Sequence, residues 1–231
     1  MNSRKRKEAN PVFDQPTILM LLEGLRDTLY MVLLSTFFGY VLGIPIGILL
    51  TVSDKDGIRP NRTLYRILDI TVNLLRSVPF LILLILLIPI TRAIVGKSYG
   101  STATIVPLTV AAAPFIGRMV ESSLKEVDHG VIEAAQSMGA SDSMIVFRVL
   151  IPEARTSLIV GLTICLGTIL GYSAMAGVVG GGGLGDIAIR YGYYRHEAPL
   201  MIVTVIILVL LVQLLQYIGM MVARKLDRRR A

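Results

Sequence analysis

The sequence predicts an all-α integral membrane protein of five transmembrane helices, with its N-terminus outside and its C-terminus cytoplasmic. Three observations carry this prediction. Of the 231 residues, 54% are hydrophobic. Five stretches with almost no charge are each long enough to cross roughly 30 Å of hydrocarbon as a helix. Lysine and arginine are unevenly shared between the two sets of connecting segments. Lipid offers no hydrogen-bond partners, so a spanning segment must be a helix or belong to a closed barrel. Uniformly apolar runs of this length read as helices.

The spans cover residues 27–52, 67–90, 101–117, 156–179 and 199–222. An odd number puts the termini on opposite sides. With the N-terminus outside, the inner face receives Lys55, Arg59, Arg62, Arg66, Arg118, Lys125, Arg148, Arg155, Arg224, Lys225, Arg228, Arg229 and Arg230. The outer face receives Arg4, Lys5, Arg6, Lys7, Arg26, Arg92, Lys97, Arg190 and Arg195. Thirteen against nine favours this orientation. The net charge of +7 is thereby accounted for by the membrane, without nucleic acid. Before span one, the basic opening "MNSRKRKEANPVFDQP" precedes an apolar run too long for a cleavable leader, so that span is expected to remain as an anchor. The single cysteine, Cys165, cannot form a disulfide within the chain.

In span one, Gly39, Gly43 and Gly47 recur every fourth residue and open one helix face to close packing, within a subunit or between two. Gly167 and Gly171 repeat the pattern in span four. Pro45, Pro79, Pro107 and Pro114 interrupt backbone hydrogen bonding inside spans, which suits a path through the protein but also occurs in ordinary membrane helices. Arg76, in span two, either snorkels to the inner interface or faces a polar cavity. No span carries a carboxylate near its centre, which argues against a proton relay or an intramembrane hydrolase. His129 and His196 fall on opposite faces with no companion ligands, so no metal site is expected.

Two motifs are decoys. "TRAIVGKS" ends like a phosphate-binding loop at Gly96, Lys97 and Ser98, but Thr91 replaces its first glycine and no strand precedes it. "GGGGLG", with Gly180, Gly182 and Gly185, has dinucleotide-loop spacing after a membrane helix, and a flexible outer loop fits it better. The sequon at Asn61 lies on the predicted cytoplasmic side.

The segment 118–155 is much longer than a helix-to-helix turn requires. Val131, Ala134, Ala135 and Met138 share one helical face, and Glu133, Gln136 and Ser137 another. Gly139 fits a left-handed helix end and Ser141 an N-cap. A second helix then carries Met144, Phe147 and Ile151 as a stripe until Pro152 breaks it. Such a hairpin either lies on lipid or docks a partner, with small alanines allowing close approach.

At these residues the chain resembles a known family. "EAA" at 133–135, then Gly139, then "VLIP" ending at Pro152 resembles the EAA loop of bacterial ABC importer permeases, with Val149 and Ile151 as mild aliphatic departures. The stretches "NLLRSVPFLILLILLIPITRAIVG", "VPLTVAAAPFIGRMVESSL" and "GYSAMAGVVGGGGLGDIAIRYGYYRHEAPLM" resemble the small five-span methionine-uptake permeases of that family, over about residues 23–226. The resemblance implies an ABC importer permease fold and a permease domain at 18–226 with its coupling hairpin at 118–155, between basic tails at 1–17 and 227–231. It implies a homodimer in a bacterial inner membrane, two ABC ATPase subunits and an external substrate-binding lipoprotein. It implies import of L-methionine, D-methionine or close derivatives. No cofactor is expected in this chain, since ATP and Mg belong to the ATPase subunit, and the chain itself is not expected to be an enzyme.

On this reading Glu133, Ala134, Ala135, Met138, Gly139 and Pro152 couple to the ATPase. Tyr172, Ser173 and Met175, with Ser77 and Pro79, are expected along the translocation path, Met175 as a thioether gate or as ordinary packing. Arg190, Tyr191, Tyr193 and Arg195, aided by Ile187 and Tyr194, are expected to meet the binding protein, the alternative being a re-entrant or membrane-surface segment. The competing functions are import of another amino acid or small solute, and a non-transport membrane scaffold.

Overall fold

The computed structural model describes residues 14–226. Both tails, at 1–13 and 227–231, with Arg4, Lys5, Arg6, Lys7, Arg228, Arg229 and Arg230, lie outside the described residues. Among the described residues every regular element is helical. Helix α1 is Gln15–Ser53, α2 Arg62–Ser77, α3 Phe80–Leu86, α4 Ile88–Val95 and α5 Ser101–Lys125. After them come α6 (His129–Ser137), α7 (Asp142–Met144), a π-helical stretch Ile145–Leu150, α8 (Ile151–Glu153) and α9 (Arg155–Ala176). A 3-10 turn Gly177–Val179, α10 (Gly183–Ile187), a second π-helical stretch Ala188–Tyr193 and α11 (Ala198–Leu226) complete the chain.

Four helical stretches are long and apolar enough to span: Gln15–Ser53, Ser101–Lys125, Arg155–Tyr193 and Ala198–Leu226. The fifth is the pair α2 and α3, bent by 98°. The helix expected at 67–90 is therefore broken. The cause is Pro79, which has no N–H to continue α2 and forces Val78 out of the helical region, to φ −75° and ψ 124°. Pro45, Pro107 and Pro114, by contrast, sit inside uninterrupted helices.

Two helices overrun their expected ends. Helix α1 starts at Gln15, well before residue 27, because Glu23, Arg26 and Asp27 end the apolar window but not the helix. At 39 residues it is about 58 Å long, longer than the hydrocarbon is thick. Helix α5 runs on through Lys125, so residues 118–125 belong to the bundle and the hairpin proper begins later than 118.

The core forms where α1 meets α5. Gly39, Gly43 and Gly47 lie against Ala112, Ala113, Ile116, Gly117 and Val120, and a Cβ on Gly43 would stand 2.6 Å from Ile116 Cγ2. The glycine stripe thus serves packing within one chain. Around this seam Met31, Val32, Leu108, Ile116, Leu124 and Ile169 are buried. At one end of the bundle the tips of α1 and α5 meet the 129–150 segment. At the other, the glycine-rich segment after α9 packs on the starts of α1 and α5: Gly100 N–H donates to Gly180 O at 2.9 Å, and Leu184 N–H to Thr28 Oγ1 at 2.9 Å.

Candidate functional site

The hairpin is a folded knuckle with one face on the bundle and one outward. Asp128 caps α6 by accepting from Gly130 N at 2.7 Å. Gly139 closes the helix at φ 78°, with Ala140 N donating to Ala135 O at 3.1 Å and Gly139 N to Gln136 O at 2.9 Å. That pair of bonds satisfies two carbonyls that a helix end otherwise leaves open. Ser141 then accepts from Met144 N. Ile145, Val146 and Leu150 are buried under the knuckle.

The outward face carries exposed apolar side chains among polar ones such as Gln136, Ser137 and Arg148. Met138 is 82% exposed and Phe147 64%, joined by Val131 and Met144. Glu133 also faces out, 3.6 Å from His129. Two expectations change here. Ala134 is exposed but Ala135 is 4% exposed and packed into the core: the two stand about 100° apart at opposite edges of one face, and the bundle covers only the Ala135 edge. Pro152 does not end the second helix; it lies inside α8, and the turn comes at Ala154.

Of the residues expected along the path, Ser77 and Pro79 stand at the α2–α3 bend and Tyr172 packs beside it. Ser77 Oγ donates to Asn73 O at 2.8 Å at the end of α2, and Pro79 opens α3. Next to it the Phe80 ring stacks on Tyr172 of α9, with centroids 4.6 Å apart and planes 5° from parallel. Ser173 is buried and donates to Leu170 O at 2.8 Å, so its hydroxyl is spent within the helix. Met175 is half exposed. It shares a bare α9 face with Ile164, Thr168 and Gly171, continued by Val178 of the 3-10 turn, and a Cβ on Gly171 would meet nothing within 4 Å. Arg76 is exposed at the end of α2.

The glycine-rich segment is a packed corner, where a flexible loop was expected. A Cβ on Gly183, at φ 74°, would stand 2.6 Å from Thr28 Oγ1, while one on Gly177 would meet the backbone of Gly185 and Asp186 and one on Gly185 the backbone of Ala174. The glycines there permit close approach of chain to chain. Ile187, expected as a contact residue, is instead 6% exposed and packs with Leu21, Leu184 and Leu200. Arg190, Tyr193, Tyr194 and Arg195 are exposed and Tyr191 is half-buried. Arg190 pairs with Asp186 at 2.8 Å, and the Arg195 guanidinium lies 4.5 Å over the Tyr191 ring.

One constellation escaped sequence reading. Arg118 forks between two helices, Nη2 to Asp69 at 2.6 Å and Nη1 to Glu121 at 2.7 Å. Glu121, 3% exposed, also accepts from Lys125 at 2.8 Å and from Tyr65 at 3.3 Å, and Lys125 reaches Asp54 at 2.7 Å. Burial pushes the Asp54 carboxyl up, but its bond to the Lys125 ammonium, the bond it accepts from Lys55 N–H and the charges of both lysines together outweigh this and hold it below the ordinary carboxylate range. The signal was present as two helical ladders, Tyr65–Asp69–Asn73 and Arg118–Glu121–Lys125. Ending span three at residue 117 hid the second. Among the described residues no three His, Cys, Asp or Glu come together as a metal cage.

Comparison with known proteins places this arrangement. A probable D-methionine transport system permease protein MetI of Vibrio cholerae is 50% identical over 210 residues, 91% of this chain and 93% of that one. The D-methionine transport system permease protein MetI of Escherichia coli K12 is 51% identical over 163 residues, 71% and 75% of the two chains. A chain from an inward-facing structure of the MetNI methionine ABC transporter superposes with a TM-score of 0.92 at 48% identity, covering 93% of this chain and all of that one. Residues 43–231, from within the glycine stripe of α1 through the knuckle and the packed corner, match the family of binding-protein-dependent transport system inner membrane components, and the chain belongs to that family.

Proposed function

We propose that this chain is the permease subunit of an ATP-driven methionine importer, acting as a homodimer by alternating access. The observation that carries the reading is the knuckle: Met138 and Phe147 stand exposed on a hairpin whose inner side chains, Ala135, Ile145, Val146 and Leu150, are buried in the core. An exposed apolar patch on a fixed support is a docking surface. The MetI relatives and the MetNI likeness support its occupant being an ABC ATPase subunit, one per permease copy. ATP and Mg are bound there, and this chain contributes no catalytic group. The bare α9 face with Gly171 and Met175 supports pairing with a second copy across the path.

In this reading the knuckle and the C-terminus are cytoplasmic, and the packed corner faces outward. Arg190, Tyr193, Tyr194 and Arg195 then offer cationic and aromatic contact to an external binding lipoprotein. L-methionine, D-methionine and close derivatives are the substrates.

The test uses the chain co-purified with its nucleotide-binding subunit and reconstituted in vesicles. ATP hydrolysis is expected to need the complex and to rise with binding protein plus methionine. Labelled L-methionine uptake is expected to be competed by L- and D-methionine and not by other amino acids. Stronger competition by another amino acid would replace the substrate, and absence of binding-protein stimulation would remove the importer reading. With Arg190→Glu and Arg195→Glu together, stimulation is expected to fall; unchanged stimulation would take these charges out of the lipoprotein contact.

A further inference from the structure

The knuckle and the α2–α3 bend lie on different parts of the chain, and a continuous run of polar contacts leads from the end of α5, just before the knuckle, to that bend. It starts at Asp54, the cap of α1, bonded to Lys125 at the end of α5, the helix that leads into the knuckle. Lys125 bonds Glu121, Glu121 bonds Arg118, and Arg118 crosses to Asp69 and, at 3.1 Å, to Asn73 Oδ1 of α2. Asn73 Nδ2 donates to Asp69 at 3.1 Å, and the Asn73 carbonyl accepts from Ser77. Two residues on stands Pro79, and then Phe80 on Tyr172.

We infer that Asp54, Lys125, Glu121, Arg118 and Asp69 are positioning residues for coupled transport, clamping α2 to the foot of α5 so that movement of the docked knuckle reaches the α2–α3 bend. The inference rests on the proposed docking of the knuckle to an ATPase.

The physical case is the cost of breaking the clamp. Two links cross between the helices, Arg118 to Asp69 and Tyr65 to the buried carboxylate of Glu121, so α2 cannot slide along α5 without breaking both. A guanidinium fork with one arm on each helix fixes direction as well as distance, which a single ammonium cannot do. Beyond the clamp, α2 ends at an extended Val78 and Pro79, a hinge with no helical hydrogen bond to hold its angle. Contiguity alone does not make a relay; the 98° bend, at a hinge without a helical hydrogen bond, is the element whose angle the clamp is placed to bias.

The experiment uses the full complex in vesicles and reads labelled methionine imported per ATP hydrolysed, together with assembly and basal hydrolysis. Asp69→Asn leaves Arg118 its bonds to Glu121 and Asn73, and Arg118→Gln leaves Glu121 its bonds to Lys125 and Tyr65, so neither strands a buried charge. Each is expected to lower the methionine-to-ATP ratio about tenfold, with assembly and basal hydrolysis near wild type. The double variant is expected to be no worse than the poorer single, because both cut the same link. Arg118→Lys, which keeps the charge but not the fork, is expected to assemble and still lose coupling. Wild-type ratios in the singles, additive losses in the double, or a parallel fall of assembly and basal hydrolysis would each overturn the relay. A wild-type complex that imports a different amino acid would change the substrate and not the relay, and the ratio is then read with that amino acid.

Discussion

Gly139 shows how one residue sets a docking angle. At φ 78° it occupies the left-handed region, where a β-branched side chain is strained, and its two neighbouring bonds pin α6 to the turn. The space around it is open, so the penalty for Gly139→Val is conformational and not steric. A cost of about 1–3 kcal/mol falls on the turn itself. We expect the variant to reach the membrane and bind its ATPase weakly, measured by co-purification and by loss of stimulated hydrolysis. Normal assembly and transport by Gly139→Val would show that the turn does not set the docking angle. The need for glycine here was legible in sequence because a helix stop signal is local. Which of Ala134 and Ala135 points outward was not, because apolar spacing marks a face without saying whether the bundle or a partner covers it.

At the level of elements the spans were readable and their ends were not. Lipid burial shapes an apolar window, so spans three, four and five appear where expected, but hydrogen bonding carries α1 and α5 past charged residues that close that window. The break at Pro79 and the continuity through Pro45, Pro107 and Pro114 differ because packing, absent from a one-dimensional pattern, decides whether neighbours hold an interrupted helix together. The α1–α5 seam is the clearest case of packing deciding. Gly43 has no room for a side chain between Ile116 and the Ala113 carbonyl. Gly43→Leu is expected to separate the helices at a cost of about 1–3 kcal/mol or more, and Gly43→Ala less. Thermal unfolding of the detergent-solubilised protein checks the order. A Gly43→Leu protein as stable as wild type would mean that the seam opens without penalty.

At the scale of the whole molecule, the polar clamp and the knuckle gather at one end, the packed corner at the other, and the bare α9 face runs between them. That distribution suits alternating access, with surfaces for partners at the two ends and an unpartnered helix face between them. Met175 stands on the bare face, half exposed in one chain, beside the open space at Gly171. Its unbranched thioether can fill an irregular gap against a second copy and release it again, which a branched side chain does less readily. A gate at this position changes its exposure with the conformational state, whereas a residue of fixed packing does not. The only native thiol, Cys165, is fully buried and can be removed as Cys165→Ala. In that background Met175→Cys is expected to react with a water-soluble thiol reagent in one nucleotide state of the reconstituted complex and to be protected in the other. Labelling at equal rates in the ATP-bound and nucleotide-free complexes, or no labelling in either, would assign Met175 to static packing of the interface and move the gate elsewhere along the α2–α3 bend.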